Sequence, residues 1–180
     1  YTWPAFWSTS MNLVQLKIPR GKIDIFNIPK FINNSNIKQV SFLENSDNQA
    51  NPRLTDRLPS FFFDGSLKNL IVFECIHCSL IGRFPYISNR SNIQRLDLRH
   101  NRNISIVLNS STIQSPTALK VLRIDYTNIV GQINIPIKDL HNMNCFTMLG
   151  SHPNLKPQLD SKLMNVNGEL WLSAEVANLN

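Results

Sequence analysis

The sequence predicts a repeat solenoid, and three observations carry that prediction. The apolar pattern LxxLxL recurs six times: Leu13, Leu16, Ile18; Ile37, Val40, Phe42; Leu70, Phe73, Cys75; Ile93, Leu96, Leu98; Leu119, Leu122, Ile124; and Met143, Phe146, Met148. The last apolar positions of successive turns stand 24, 33, 23, 26 and 24 residues apart, so four of the five steps are near 24. Segments IPKFINNSNIKQVSF and FPYISNRSNIQRLDL match at Pro29 and Pro85, Asn33 and Asn89, Ser35 and Ser91, Asn36 and Asn92, and Ile37 and Ile93, always 56 residues apart. Any apolar strand offers LxL by accident; six in phase are a repeat. A fixed period of this size marks stacked units, each burying its apolar face against the next.

The elements follow in order. Residues 1–10, YTWPAFWSTS, read as a divergent edge or partial repeat, and residues 11–150 hold about six repeats. Each LxL predicts a short strand, with its apolar residues inward and the intervening ones outward, because side chains alternate faces. The one long step contains SDNQANPRLTDRLPS at 46–60, a polar, proline-bearing segment expected to be a surface insertion of about nine residues. The runs Phe61 to Phe63 and Leu70 to Phe73 are of strand length. Three residues beyond each LxL stand Gly21, Asn45, Cys78, Asn101, Thr127 and Ser151. A small polar side chain turned inward there satisfies the amides of a tight, buried bend. Between the strands the chain is too rich in Asn, Ser and Pro for helical periodicity. Residues 151–180 fit no repeat and read as a divergent C-terminal segment.

Composition narrows the function. With 180 residues, 42% hydrophobic and only 17% charged, the chain has the makings of one buried core rather than of a disordered segment. No run approaches the roughly 18 apolar residues of a spanning helix. The start at Tyr1, without methionine or the basic and apolar regions of a signal peptide, reads as a fragment or a processed piece. A net charge of +6 permits weak attraction to anions, but no block of five like charges and no basic stripe with aromatics occurs, so nucleic acid is not an expected partner. There is no GxSxG, HExxH or phosphate-cradling glycine loop, and the six glycines are scattered; neither catalysis nor a cofactor is expected. Three cysteines leave at least one thiol free or paired elsewhere. The repeat phase puts Cys75 in the core and Cys78 at the small-polar position, so the two read as buried structural thiols rather than half of a zinc site. Cys145 falls on an outward position and reads as a reactive free thiol. His77 and His100 lack the thiolates or carboxylates of a metal set, and no metal is expected.

Two turns carry a second signature: Cys78, Leu80, Gly82, Phe84 and Pro85 in CSLIGRFP, and Thr127, Ile129, Gly131 and Ile133 in TNIVGQI. These resemble the plant-type repeat LxxLxLxxNxLxGxIP, and IPKFINNSNI and FPYISNRSNI resemble its IPxxLxNLxNL segment. With DGSLKNL and ALKVLRIDYTNIVGQI, the stretch from Met11 to Gly150 resembles the ectodomains of plant leucine-rich-repeat receptor-like proteins and receptor kinases. The turn NRNISIVL departs from the pattern by lacking its glycine. The resemblance implies an α/β-type repeat solenoid: a right-handed superhelix with a parallel concave β-sheet and short 3₁₀ or irregular convex segments. It also implies a non-catalytic recognition module on the extracellular face of the plasma membrane, anchored by segments outside this chain and serving signalling or defence. The implied partners are a peptide or protein ligand and a co-receptor kinase. The alternatives are a secreted repeat inhibitor of a cell-wall hydrolase and the repeat region of an intracellular immune receptor.

The outward positions define the candidate surface. Between the two core residues of each strand stand Lys17, Ser41, Glu74, Asp97, Arg123 and Thr147; next come Pro19, Leu43, Ile76, Arg99, Asp125 and Leu149; then Arg20, Glu44, His77, His100, Tyr126 and Gly150. Parallel stacking sets Asp97 beside Arg123 and Arg99 beside Asp125. The candidate ligand-binding residues are Glu74, His77, Arg95, Asp97, Arg99, His100, Arg123, Asp125 and Tyr126, since Tyr and Arg are favoured at interface centres. The competing reading is a ladder of exposed charge pairs that keeps the sheet soluble and contributes ~0 to 1 kcal/mol per pair. NxS/T acceptors for glycosylation stand at Asn33, Asn89, Asn103 and Asn109, the first two in the same phase of the repeat.

Overall fold

The computed structural model describes residues 12–19, 36–43, 58–78, 80–84, 86–109, 111–114, 118–130, 143–150 and 169–172. Among these the strands are β1 (Gln15–Pro19), β2 (Gln39–Leu43), β3 (Val72–Cys75), β4 (Ile81–Arg83), β5 (Arg95–Asp97), β6 (Asn103–Ile106), β7 (Val121–Arg123), β8 (Asn128–Ile129), β9 (Cys145–Met148) and β10 (Glu169–Leu172). Seven form one sheet in the order β1-β2-β3-β5-β7-β9-β10, and three form a second in the order β4-β6-β8. Every pairing is parallel. A chain that returns to the same sheet in the same direction at each turn is a solenoid.

Register bears out the phase of the apolar pattern. Leu16, Val40, Phe73, Leu96, Leu122 and Phe146 meet as direct neighbours across the ladder, and each is at most 3% exposed. Ile37, Leu70, Ile93, Leu119 and Met143 make a second buried row, and Phe42, Cys75, Leu98, Ile124 and Met148 a third. Burial at this depth stabilises by ~1.5 to 3 kcal/mol per large side chain. Strands β2, β3, β5, β7 and β9 are also entered in the same way: two successive N–H groups converge on one carbonyl of the preceding turn, as with Ile71 and Val72 on Lys38, Gln94 and Arg95 on Ile71, and Lys120 and Val121 on Gln94. The period seen in the sequence is thus a period of backbone hydrogen bonds.

The parallel-sheet solenoid is as expected, and the described crossovers contain no α-helix. Three turns instead carry a second short strand, and a bridge between Ile87 and Ile113 continues the stacking. Strand β6 forms in the turn that lacks the glycine, because Ile104 and Ile106 still point inward and are buried.

Residues 46–57 of the expected insertion lie outside the described residues, but Leu58, at its far end, is 5% exposed and joins the core. Pro59, at φ −61°, leads into a 3₁₀ turn over Ser60–Phe62. The strand-length run Phe61 to Phe63 is therefore a turn, closed by the Phe63 and Asp64 N–H groups on the Ser60 carbonyl. It drives Phe62 and Phe63 inward, where both rings pack on Phe73 at centroid distances of 4.8 and 5.0 Å. Within 151–180, Glu169–Leu172 extend the sheet as β10, with Leu170 beside Phe146 and Leu172 beside Met148. No helix among the described residues is long and apolar enough to cross a membrane.

Candidate functional site

The bends beyond β3, β5 and β7 are built from the inside. Asn101 is fully buried; its Oδ1 accepts the N–H groups of Cys78 (2.9 Å) and Leu80 (3.1 Å). Its Nδ2 donates to the carbonyls of Cys75 (2.7 Å) and Leu98 (2.8 Å), so one amide ties two turns together. Thr127 does less from the equivalent place, donating to the Ile124 carbonyl at 2.6 Å. Cys78 follows another course. The reading of Cys75 and Cys78 as buried thiols is corrected, because the two are joined in a disulfide with Cα atoms 5.7 Å apart. The bend returns the third residue after a core position to the interior, which brings the two Cα atoms to the separation a disulfide spans.

On the outer face of the sheet the expected charge ladder is rearranged. Register does set Asp97 beside Arg123, but the Asp97 carboxylate turns to Arg99, which donates from Nε to Oδ1 at 2.8 Å and from Nη2 to Oδ2 at 2.9 Å. Arg95 approaches the same carboxylate at 3.7 Å and donates to Glu74 Oε1 at 2.9 Å. The other Glu74 oxygen accepts from Ser41 at 2.8 Å, and Ser41 in turn accepts from Gln39 at 2.9 Å. Asp125 does not pair with Arg99 by hydrogen bond; its oxygens accept the Thr147 hydroxyl (2.7 Å) and the Leu149 N–H (2.6 Å). Asp97 is 0% exposed and Asp125 7%, so the reading of solvated ladder pairs does not describe them. The Arg99 guanidinium is pushed further above its already basic range, first by the hydrogen bond to Asp97, with burial opposing and the charges of Asp97, Asp125 and Glu74 adding.

One residue further on, His77, His100 and Tyr126 have φ of 57°, 61° and 54°, and Gly150 has φ of 60°. Four equivalent positions thus adopt the left-handed conformation, which disfavours side chains other than glycine. Their N–H groups hold the ladder together: His77 donates to Arg99, His100 to Asp125 and Tyr126 to Leu149. The rings form a column, with His77 and His100 centroids 5.7 Å apart and His100 and Tyr126 stacked at 4.7 Å with 12° between their planes. A Cβ at Gly150 would overlap the Tyr126 ring, so the glycine is what lets the column end there. Gly150→Ala is expected to destabilise the protein by ~1 to 3 kcal/mol through that overlap and the positive φ. In a Tyr126→Ala background the same change should cost clearly less; equal costs in thermal unfolding would mean that ring and glycine are not coupled.

Glu74, His77, Arg95, Asp97, Arg99, His100, Arg123, Asp125 and Tyr126, expected on one face, stand on neighbouring strands and the bends that follow. Gln39, Ser41 and Thr147 join them as hydrogen-bond partners that the apolar pattern does not mark. Their signal is faint: a hydroxyl directly beside an acid in register, as Ser41 is beside Glu74. Cys145 is free but only 8% exposed, which corrects its reading as an accessible reactive thiol. Asn33 lies outside the described residues. Asn89 and Asn103 are exposed, whereas Asn109 is half-buried and its Oδ1 accepts the N–H groups of Ser111 (2.9 Å) and Thr112 (3.1 Å) to hold a turn. Compared with family models, curated proteins and solved structures, the chain matches none.

Proposed function

We propose that the chain is a recognition module of the leucine-rich-repeat kind, from a cell-surface receptor-like protein, and that it binds a peptide or protein on the outer face of the seven-stranded sheet. The observation that carries this reading is the column His77, His100, Tyr126. Three side chains are kept where the backbone favours glycine, and Tyr126 remains 37% exposed beside arginine-bearing strands. Such outliers cluster at ligand clamps and other functional sites. The repeat class is supported by Asn101, which stands at the Asn of LxxLxLxxN and bonds the backbone of two turns. A binding role is favoured over catalysis because Glu74 and Asp97 have both oxygens committed within the face, leaving neither poised to move a proton. Receptor membership, the extracellular side and a co-receptor kinase rest on the motif resemblance.

The test is to pan a random-peptide phage library on the folded chain. Enriched peptides should lose binding in Tyr126→Ala and Arg123→Ala and keep it in Arg83→Ala, which changes an exposed residue of β4 in the second sheet. Enrichment indifferent to Tyr126 and Arg123 would overturn the reading.

A further inference from the structure

The polar atoms of the outer face are sorted by sign. Three carboxylates of this face, Glu74, Asp97 and Asp125, are satisfied from within: Glu74 by Ser41 and Arg95, Asp97 by Arg99, and Asp125 by Thr147 and the Leu149 amide. Each has both oxygens occupied, and the Glu74 side chain, the most open, is 13% exposed. The donors are the groups left toward solvent. Arg95 and Arg99 keep side-chain exposures of 35% and 32% while holding the acids beneath them. Arg123, half-buried beside Asp97, finds that carboxylate already taken, and among the described residues no acid lies within ion-pair distance of it. A layer of acceptors is thus buried under a layer of cationic donors, and the complement of such a surface is a ligand rich in acceptors.

The rings favour a peptide as the carrier of those acceptors. A sugar ring packs on an open aromatic face, but Tyr126 is stacked on His100 on one face and has Gly150 close against its ring. What the column leaves exposed is Tyr126, whose phenol suits hydrogen bonding to carboxylates and peptide carbonyls. Resting on the recognition reading above, we infer that the ligand is an acidic peptide segment, whose carboxylates are received by Arg123 and by the outer edges of Arg95 and Arg99, alongside the Tyr126 phenol.

The probes are end-capped hexaglutamate, hexaglutamine and hexalysine peptides and an oligogalacturonate, titrated into the isotope-labelled chain and followed by amide and side-chain NMR shifts. Hexaglutamate should bind and shift Arg123, His100 and Tyr126, with hexaglutamine at least roughly tenfold weaker and hexalysine weaker still. Arg123→Gln should weaken hexaglutamate roughly tenfold, with Arg123→Lys retaining part of the affinity, while the unliganded spectrum stays that of the folded chain. Raising salt should weaken binding as expected for exposed charges. Preference for hexaglutamine or hexalysine, indifference to Arg123, or shifts confined to the second sheet would overturn the inference; binding of the oligogalacturonate but not hexaglutamate would overturn the peptide class. Library peptides that bind this face without acidic bias would refute this inference and leave the recognition reading standing; no face-dependent peptide at all would refute that reading itself.

Discussion

Asn101→Ala is expected to lower the unfolding free energy by about 3 to 6 kcal/mol. The side chain is 0% exposed and serves five backbone groups at 2.7 to 3.2 Å, the N–H groups of Cys78 and Leu80 and the carbonyls of Cys75, Leu98 and Arg99. Alanine removes all five bonds at once. Each buried orphan costs ~1 to 3 kcal/mol, and water entering the space left by the amide recovers part of the sum. Against a total stability of ~5 to 15 kcal/mol this is a large share. Because neighbouring turns stabilise one another, the loss should spread to β3 and β5 together. Asn101→Thr should cost less than alanine, since Thr127 at the equivalent place keeps a bond to the Ile124 carbonyl. Denaturant melts of the three proteins decide it; an alanine variant within about 1 kcal/mol of the parent would show that the bend does not depend on the amide.

Leu96→Asp is expected to abolish cooperative thermal unfolding altogether. Leu96 is 1% exposed between Phe73 and Leu122, and a carboxylate there has no cation within the apolar row. An unpaired buried charge costs several kcal/mol, added to the lost packing of the leucine. Arg99→Ala makes the instructive comparison. An arginine on an outward position would ordinarily be dispensable, but this one holds both oxygens of the fully buried Asp97, and its loss leaves the carboxylate the backbone N–H of residue 99 at 3.4 Å and Arg95 at 3.7 Å. Breaking a buried pair costs ~3 to 5 kcal/mol, less here because Arg99 itself is a third exposed, so a loss of ~1.5 to 3 kcal/mol is expected. With a few degrees of midpoint per kcal/mol, that is a drop of ~5 to 10 °C with the transition still cooperative. Since the pKa of Arg99 is raised on folding, its contribution is present below the unfolded value and lost only as pH rises through the folded one; alkali up to about pH 10 should leave the pair intact. Equal loss in Leu96→Asp and Arg99→Ala would contradict the inward and outward assignment.

What the amino-acid sequence determined by itself was the phase of the solenoid. Leu16, Val40, Phe73, Leu96, Leu122 and Phe146 could be placed in one row before any coordinates, because alternation along a strand is a local property and parallel stacking carries it from turn to turn. The inward role of Asn101 was legible for the same reason, as was the common row of His77, His100 and Tyr126. Tertiary structure decided which groups meet within those rows. Asp97 and Arg123 are neighbours in register, yet Asp97 pairs with Arg99, because a guanidinium two residues along reaches both oxygens while the next strand's arginine does not. Cys75 and Cys78 are bridged because the bend folds two inward positions onto each other, and Cys145 is buried although its position alternates outward. Phe61 to Phe63 turn rather than extend, because Pro59 starts a 3₁₀ turn whose rings find Phe73 and Phe84. Position in a repeat depends on the backbone's period, which a sequence displays; partner choice and depth depend on side-chain reach and on what the adjoining turns supply, which exist only once the turns are stacked.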